Sequence, residues 1–510
     1  MTKSEMLLCS FVIILSTLAS VGCGGSYTPP VAGLKATSHP LVAQYTIPVS
    51  RQGTTAWVEF GTDTNYGRTT SVQTNNASDL VNILVAGMKP KTTYHLRAHA
   101  AWAGGSWVDQ DQTFTTGALP SSILPPTFSI APPAPDLPVT AAPAPGVELL
   151  SLFATGGLGA AATDLEGNLI WYCPSSAAFP IKLMQNGHFI INLGEDLQEV
   201  DLACNTIRDV STAEVNQSLQ ANGYSFMIPA NLGIPGGSPF HHDVLVLPNG
   251  HWITLCQIAK TFSDLPGYSG TTNVVGDAVV DIDTNGNVGW AWSSFDHLDV
   301  NRHPYFGLPD WTHSNALVYT ADGNLLVSMR HQSWILKIDY HDGSGSGDVL
   351  WKLGPDGDFT IEGGDPSQWF YSQHYPAVLS TSGSQTTLGV FDNGNFRPDA
   401  TGIACQTTPT APACYSRATI FLVDESTNLA TLLWQDLPGY FSFWGGNVGV
   451  LSDNDVEFAM SEPTGGTSSQ IMEVTQSASP QIVWQMNIDG ANAYRGYRIP
   501  SLYPGVTWPR

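Results

Sequence analysis

The sequence predicts an all-β protein, a six-bladed β-propeller preceded by a small β-sandwich, and three observations carry that prediction. The 510 residues include 50 Gly, 35 Pro and 15 Trp, a composition of tight turns and aromatic packing points, and no long helix-period stretch follows the N-terminus. From residue 148 onward one phrase recurs: an apolar strand, a polar-Gly turn, a second strand, then an acidic-Gly-Asn turn leading to a Trp. Units of four short strands recur roughly every 50–75 residues, so about 360 residues suit six blades.

Hydrophobic content is 42 %, ample for a core. The formal net charge of −24, with only 19 Lys and Arg, excludes the basic face that nucleic acid requires.

Taken in order, residues 1–22 carry Lys3, the apolar run 6–18 and then small residues, the pattern of a secretory signal. Cys23, followed by Gly24-Gly25-Ser26, resembles the lipidated residue of a bacterial lipoprotein, although Ser20 departs from the usual pattern. Export to the periplasm or outer membrane, with membrane contact only through that lipid, is the expectation. Residues 35–118 predict five strands of an independent β-domain. The segment from Met88 to Ala98, with Tyr94 at a strand start, resembles the fibronectin type III corner, with Trp57 expected as the buried core Trp. Residues 119–147 are Pro- and Ala-rich, a polyproline-II linker draped on a neighbour or free. The propeller occupies 148–510. Its unit-ending tryptophans, Trp171, Trp290 or Trp292, Trp351, Trp434 and Trp484, read as packing between blades.

Cys405 and Cys414 are spaced to close a short loop, Cys173 with Cys204 is a second pairing, and Cys256 reads as a buried free thiol. No pair has zinc-site spacing.

The chemistry concentrates at 312–331. Two apolar runs flank Asp322-Gly323, a hairpin signal, so His313 and Asn315 at one strand's start meet Arg330 at its partner's end. Alternation places His313 and Asn315 on one face, and puts His331 on the face opposite Arg330. An Arg, an amide and an imidazole converging describe an anion site. His242 lies eight residues before Gly250, as Asn315 does before Gly323, and His374 precedes Gly383 by nine. Three successive blades therefore present His242 (with His241 beside it), His313 with Asn315, and His374 to one channel mouth. Metal binding is the rival, with Asp243 and Asp310 as ligands, but Arg330 opposes a cation.

The ordered set Phe240-His241-His242-Asp243, Thr312-His313-Ser314-Asn315, Ser328-Met329-Arg330 and Gln373-His374-Tyr375-Pro376 resembles bacterial arylsulfate sulfotransferases. The closing run from Ala493 to Tyr503 is similar too. The resemblance implies an exported, cofactor-free and metal-free enzyme, independent of nucleotide sulfate, that moves sulfuryl from an aryl sulfate donor to a phenolic acceptor. It allows a homodimer. His374 becomes the nucleophile that carries a transient sulfohistidine, and His242, His313, Asn315 and Arg330 bind sulfate oxygens. His241 and Arg495 are expected at the substrate, with Trp311, Trp334, Trp369, Phe370 and Tyr371 walling an aryl slot. The Cys405–Cys414 loop falls after His374, whereas enterobacterial relatives place a short-loop disulfide before the nucleophile. A non-catalytic binding propeller and a metal-dependent hydrolase are the alternatives on the same scaffold.

Overall fold

The computed structural model describes residues 32–509 apart from 50–51, 76–78, 138–140, 155, 176–179, 231, 233, 235–236, 303, 400–401, 406–413 and 464–465, so the 1–22 segment and Cys23 lie outside the described residues. The protein is all-β, six propeller blades and a sandwich.

In the sandwich, Gly33–Ala36, Ala43–Pro48 and Leu80–Val85 form one sheet, and Thr55–Gly61 with Thr93–Trp102 centre the other. Alternation sends Ala56, Val58 and Phe60 inward. Trp57 is one step out of that register: it is half-buried on the outer face, stacked on His99 at 4.8 Å, and is not the core Trp the sequence suggested. The Tyr94 hydroxyl accepts a hydrogen bond from the Lys89 N–H at 2.9 Å, bracing the preceding turn.

Blades 1 to 5 span 181–211, 240–293, 314–353, 374–436 and 447–489, each four antiparallel strands in sequence order from the axis outward. Blade 6 is composite. Its innermost strand is Ala491–Ile499, near the C-terminus, and its outer three are Val147–Ala154, Ala160–Thr163 and Leu169–Cys173. The ring is thus closed by backbone hydrogen bonds between chain ends, and Asn447 secures the closing strand by exchanging side-chain hydrogen bonds with Gly496 at 2.7 and 3.0 Å.

Three local features were not foreseen. Within the Pro-rich segment, Thr127–Ile130 pairs as a fifth strand on the outer edge of blade 5. A helix, Thr212–Ala221, follows blade 1, set by a capping box in which Ser211 and Glu214 satisfy each other's backbone N–H groups. Residues 500–509 return to the sandwich: the Tyr503 hydroxyl donates to Leu84 O at 2.8 Å, and Trp508 inserts against Phe60 at 5.7 Å with Arg68 over its ring at 5.0 Å. Sandwich and propeller therefore share one hydrophobic core.

Among the described residues two disulfides are present, Cys173–Cys204 and Cys405–Cys414, and Cys256 is a buried free thiol. Among the described residues no helix is long and apolar enough to cross a membrane.

Because Trp508 is almost fully buried, Trp508→Ala is expected to destabilise the sandwich by about 3–5 kcal/mol. Limited proteolysis should then cut within 119–147 faster than in the parent, while propeller unfolding is little changed. Equal cleavage rates would show that the tail does not clamp the two parts together.

Candidate active site

The innermost strands of blades 2, 3 and 4 begin at one mouth of the channel, and each begins with a broken ladder. Pairing skips between His241 and Val244, between Ser314 and Ala316, and between His374 and Ala377. Non-glycine residues sit there in the left-handed region: His242 at φ 56°, His313 at 47° and Tyr375 at 43°. Such backbone costs of order 1–3 kcal/mol each and persists only where surroundings over-determine it. The bulges turn His242, His313 and His374 toward the axis. Two of the rings lie against Tyr494 of the closing strand, His242 at 5.6 Å and His374 at 5.9 Å, and His313 lies 4.8 Å from His242.

His374 is 1 % exposed and oriented at both nitrogens. Its Nδ1 lies 2.7 Å from Asn393 Oδ1, while Asn393 Nδ2 donates to the carbonyls of Ser442 and Gly445 at 2.9 and 3.0 Å. With the amide nitrogen committed to two acceptors, Oδ1 must accept, so Nδ1 of His374 carries the proton. The lone pair is then on Nε2, which receives only the Gly445 N–H at 3.3 Å. Gly445 and Gly446 permit this approach, because a Cβ at either would meet Ser461 Oγ at 2.5 Å or Phe391 Cδ1 at 2.4 Å. Burial, then the charge of Arg330, lowers the His374 pKa well below 6.5. Burial and the neighbouring imidazoles do the same for His242.

A second group stacks beside the first. The His313 Nδ1–H donates to Asp310 Oδ2 at 2.6 Å. Burial opposes the Asp310 charge, but the imidazoles of His313 and His331 hold its pKa down at about 2. His331 stacks between His313, at 4.4 Å, and Phe306, at 4.3 Å, donating from Nδ1 to the Asp310 carbonyl at 2.8 Å. Its Nε2 therefore accepts from Arg330 Nη1 at 3.0 Å. Arg330 is sandwiched by Phe306 and Phe443 at 4.3 and 5.2 Å and donates Nη2 to Phe443 O at 2.8 Å. Its buried Nε has no partner, and none of the ion pairs among the described residues involves Arg330. Burial lowers its pKa to about 10, which leaves it charged at neutral pH.

The alternation argument fails at His331 for a local reason. The strand ends at Met329 and Arg330–Gln332 is a 3₁₀ turn, so Arg330 and His331 reach the same cluster instead of opposite faces. Asn315 sits in its bulge, one amide hydrogen donated to Gln373 O at 2.7 Å and its Oδ1 unpartnered. His241 lies behind His242, Nδ1 to Nδ1 at 2.9 Å, with Nε2 facing Asp277 at 3.2 Å, so it supports the site instead of lining it. Arg495 is wholly buried, bonded to Asn315 O at 2.5 Å and paired with Asp243 at 3.3 Å, so it is not a substrate contact either. The expected aryl wall is also elsewhere. Trp311 packs on Phe295 and donates to Arg302 O, Trp334 donates to Pro355 O under the Arg302 guanidinium, and Tyr371 donates to Pro366 O. Trp369 and Phe370 belong to the same packed core between blades 3 and 4. Aromatic rings near the cluster come instead from loops: Phe306 meets both Phe396, at 4.8 Å, and Phe443, at 6.0 Å, and Trp444 meets Phe153 at 5.4 Å. Sequence reasoning missed Asn393, Asp310 as a His partner, and this collar. The Gly445-Gly446 pair directly before blade 5 was the available signal for the His374 end.

A family model, arylsulfotransferase (ASST), matches residues 155–498, which contain every histidine of the cluster. The chain belongs to the arylsulfotransferase family. Membership gives it aryl sulfotransfer as its general activity and small aryl sulfates and phenols as its substrates. No curated protein sequence matches the chain. Among solved structures, the chain is similar to a protein of unknown function from Bacteroides caccae at 10 % identity and TM-score 0.38, covering 68 % of this chain and 98 % of that one. It is also similar to cobalt-substituted Synechocystis ACO at 12 % identity and TM-score 0.31, covering 91 % of this chain and 97 % of that one. Both likenesses are too distant to bear on this arylsulfotransferase's chemistry.

The geometry fixes a protonation state that nitrogen NMR reads directly. In ¹⁵N-histidine-labelled protein, His374 should show the neutral Nδ1–H tautomer from about pH 7.5 to about 5.5. A lowered pKa keeps the neutral form populated below 6.5 and delays protonation to more acid pH. A titration midpoint near 6.5 for His374 would contradict the buried geometry.

Proposed function

We propose that this chain transfers a sulfuryl group from an aryl sulfate to a phenol, without a nucleotide sulfate, by double displacement through a sulfohistidine at His374. The observation that carries this reading is Arg330. A buried guanidinium with no carboxylate partner and an unsatisfied Nε is costly in isolation, and it sits beside a neutral imidazole. An anionic ester oxygen is the acceptor it lacks.

In the first half-reaction, Nε2 of His374 attacks sulfur, the S–O bond to the aryl group breaks, and the phenolate takes a proton from an imidazole of the cluster. His313 suits that role, because the Asp310 carboxylate at 2.6 Å from its Nδ1 fixes its tautomer and orients its ring. The Nδ1–H of His374 stays on Asn393 Oδ1, which steadies the positive ring of the N-sulfonated intermediate. In the second half-reaction, an acceptor phenol returns its proton to His313, its oxygen bonds to sulfur, and the N–S bond breaks. Arg330, the second amide hydrogen of Asn315 and the Gly445 N–H are the donors available to the equatorial oxygens. The Phe306, Phe396 and Phe443 rings offer faces for the aryl groups.

The test is turnover of p-nitrophenyl sulfate with phenol as acceptor and no nucleotide present. His374→Asn should abolish both p-nitrophenol release and acid-labile label from sulfur-labelled donor. Arg330→Lys keeps charge but loses the fork, and should cost roughly 10²–10³ in kcat. His331→Gln should also impair turnover, since His331 positions Arg330. Absence of any release by the parent protein rejects the proposal.

One observation favours a second reading. Ligand atoms of Asp310, His313 and His331 lie within 4.8 Å of one another, a spacing open to a metal ion. Arg330 Nη1 at 3.0 Å from His331 opposes a cation there. Activity lost to a chelator and restored by zinc would favour a metal-dependent hydrolase. A non-catalytic propeller instead predicts that His374→Ala leaves the cellular phenotype intact.

We further propose export and lipid anchoring at Cys23, on the pattern of residues 1–26. Labelled palmitate should enter the parent chain and not Cys23→Ala. Equal labelling of the two excludes Cys23 as the anchor.

A further inference from the structure

The blades are joined by a repeated hydrogen bond, and one seam lacks it. In five of the six seams, a side chain on the outermost strand of one blade donates to a carbonyl in the turn joining the third and fourth strands of the next. Trp171 of blade 6 reaches Leu202 O of blade 1 at 2.8 Å, and Arg208 of blade 1 reaches Asp283 O of blade 2. Trp290 and Trp292 reach Gly345 O and Gly347 O at 3.1 and 2.9 Å. Trp434 reaches Ser477 O and Trp484 reaches Leu165 O, both at 2.9 Å. Trp351 holds the corresponding place on blade 3, is 8 % exposed, and its indole Nε1 is buried without a partner. The turn that should meet it, Glu425-Ser426 of blade 4, instead helps line a cleft that Trp351 also lines.

That cleft measures about 460 Å³, within the span of small-molecule sites. It is remote from the histidine cluster. It lies at the Thr320–Asp322 and Gly383-Ser384 turns, where the inner strands of blades 3 and 4 end, whereas the candidate active site lies where they begin. Six strand residues at about 3.3 Å each separate the two by about 20 Å.

We propose that the open seam between blades 3 and 4 binds a small neutral polyhydroxylated ligand of saccharide type. The chemistry of the walls selects that class. Lys337, 7 % exposed, bonds Asp322 at 2.8 Å and both carboxylate oxygens of Glu425 at 2.9 and 3.1 Å. One cation with two carboxylates leaves the group at +1 − 2 = −1, which disfavours an anion, and Lys337 already occupies the place a ligand ammonium would take. The carboxylates keep lone pairs for hydroxyl donors, the Thr381 hydroxyl both donates and accepts, and the Ser426 hydroxyl, which donates to Asp424 at 2.6 Å, accepts. The Trp351 ring and the side chains of Leu326 and Val378 supply apolar surface for the C–H face of a sugar ring.

Saturation-transfer NMR on the full chain, with methyl α-glucopyranoside, methyl α-galactopyranoside and N-acetylglucosamine as separate probes, tests this. Transfer to at least one probe is expected, undiminished by phenyl sulfate. Thr381→Trp fills the cleft from an exposed hairpin position and should abolish the signal while p-nitrophenyl sulfate turnover persists. Trp351→Phe removes a donor that no protein group uses and should weaken binding by about 5–10-fold. No transfer to any probe overturns the proposal. So does transfer that Thr381→Trp leaves unchanged, since that places the sugar elsewhere. Circular dichroism of both variants verifies folding, and Thr381→Trp alone decides if Trp351→Phe is unstable.

Discussion

One buried carboxylate holds the histidine-cluster end of the propeller together. Asp243, wholly inaccessible, bonds Lys182 of blade 1 at 2.5 Å, Arg495 of blade 6 at 3.3 Å, the Leu317 N–H of blade 3 at 2.9 Å and the Val244 N–H of its own blade 2 at 2.8 Å. Four of the six blades thus meet at two oxygens. Burying a charge is tolerable only when its lone pairs are filled, and here they are. Asp243 also follows His242 inside the bulge, so the network that closes the ring fixes the strained backbone beneath a cluster histidine. Removing one partner of such a pair costs about 3–5 kcal/mol, because it strands the other charge. Ring closure and site geometry are therefore one interaction seen from two sides.

Asp277, also on blade 2, repeats the device toward the start of blade 3. Its Oδ2 accepts from the Thr312 hydroxyl and the Ser314 N–H, both at 2.6 Å, which clamps the residues on either side of His313. The left-handed His313 is held by these bonds and by the N–H groups of Arg330 and His331, which donate to the carbonyls of His313 and Thr312 at 3.2 Å. Strain at His242 and His313 is thus sustained by buried carboxylates on blade 2, not by the imidazoles themselves. The rings remain free to be neutral, and burial keeps His242, His331 and His374 that way.

The architecture was legible because period-two alternation and Gly-centred turns repeat through the propeller, and each repeat reinforces the same register. His242 and Asn315 were legible for the same reason, since each lies eight residues before a turn glycine and so at equal depth; His374, nine before Gly383, falls close to that depth, and His313 shares a face with Asn315 two residues on. Legibility ended where the chain leaves regular geometry. Period two said nothing of Arg330 and His331 once the strand gave way to a 3₁₀ turn, and put them on opposite faces. The aryl wall was assigned to Trp311, Trp334 and Tyr371 by nearness in sequence, but their polar atoms meet local carbonyls and their rings fill the core. The rings that do approach Arg330 come from loops after blades 2 and 4, which no periodicity connects. The composite make-up of blade 6 was not legible, because nothing in residues 147–173 announces that their inner partner lies at 491–499.

The buried arginines set Arg330 apart. Arg397 and Arg417 share Asp392 at 2.8 and 2.7 Å, Arg495 has Asp243, and Arg498 meets Glu148, Glu457 and Glu473. In each case the fold supplies the anion, as the desolvation cost of a guanidinium demands. Arg330 receives aromatic faces, a carbonyl and an imidazole lone pair, all neutral. Those contacts orient the fork and offset part of the cost without cancelling the charge. Asp310, the nearby carboxylate, is turned to His313, and the imidazoles of His313 and His331 hold its pKa down at about 2, which leaves it an anion at neutral pH. A buried cation with one donor unspent, beside an imidazole whose lone pair faces only a weak backbone donor, contributes little to the stability of the fold. It is the arrangement expected of a site whose missing partner arrives as an anion with the substrate.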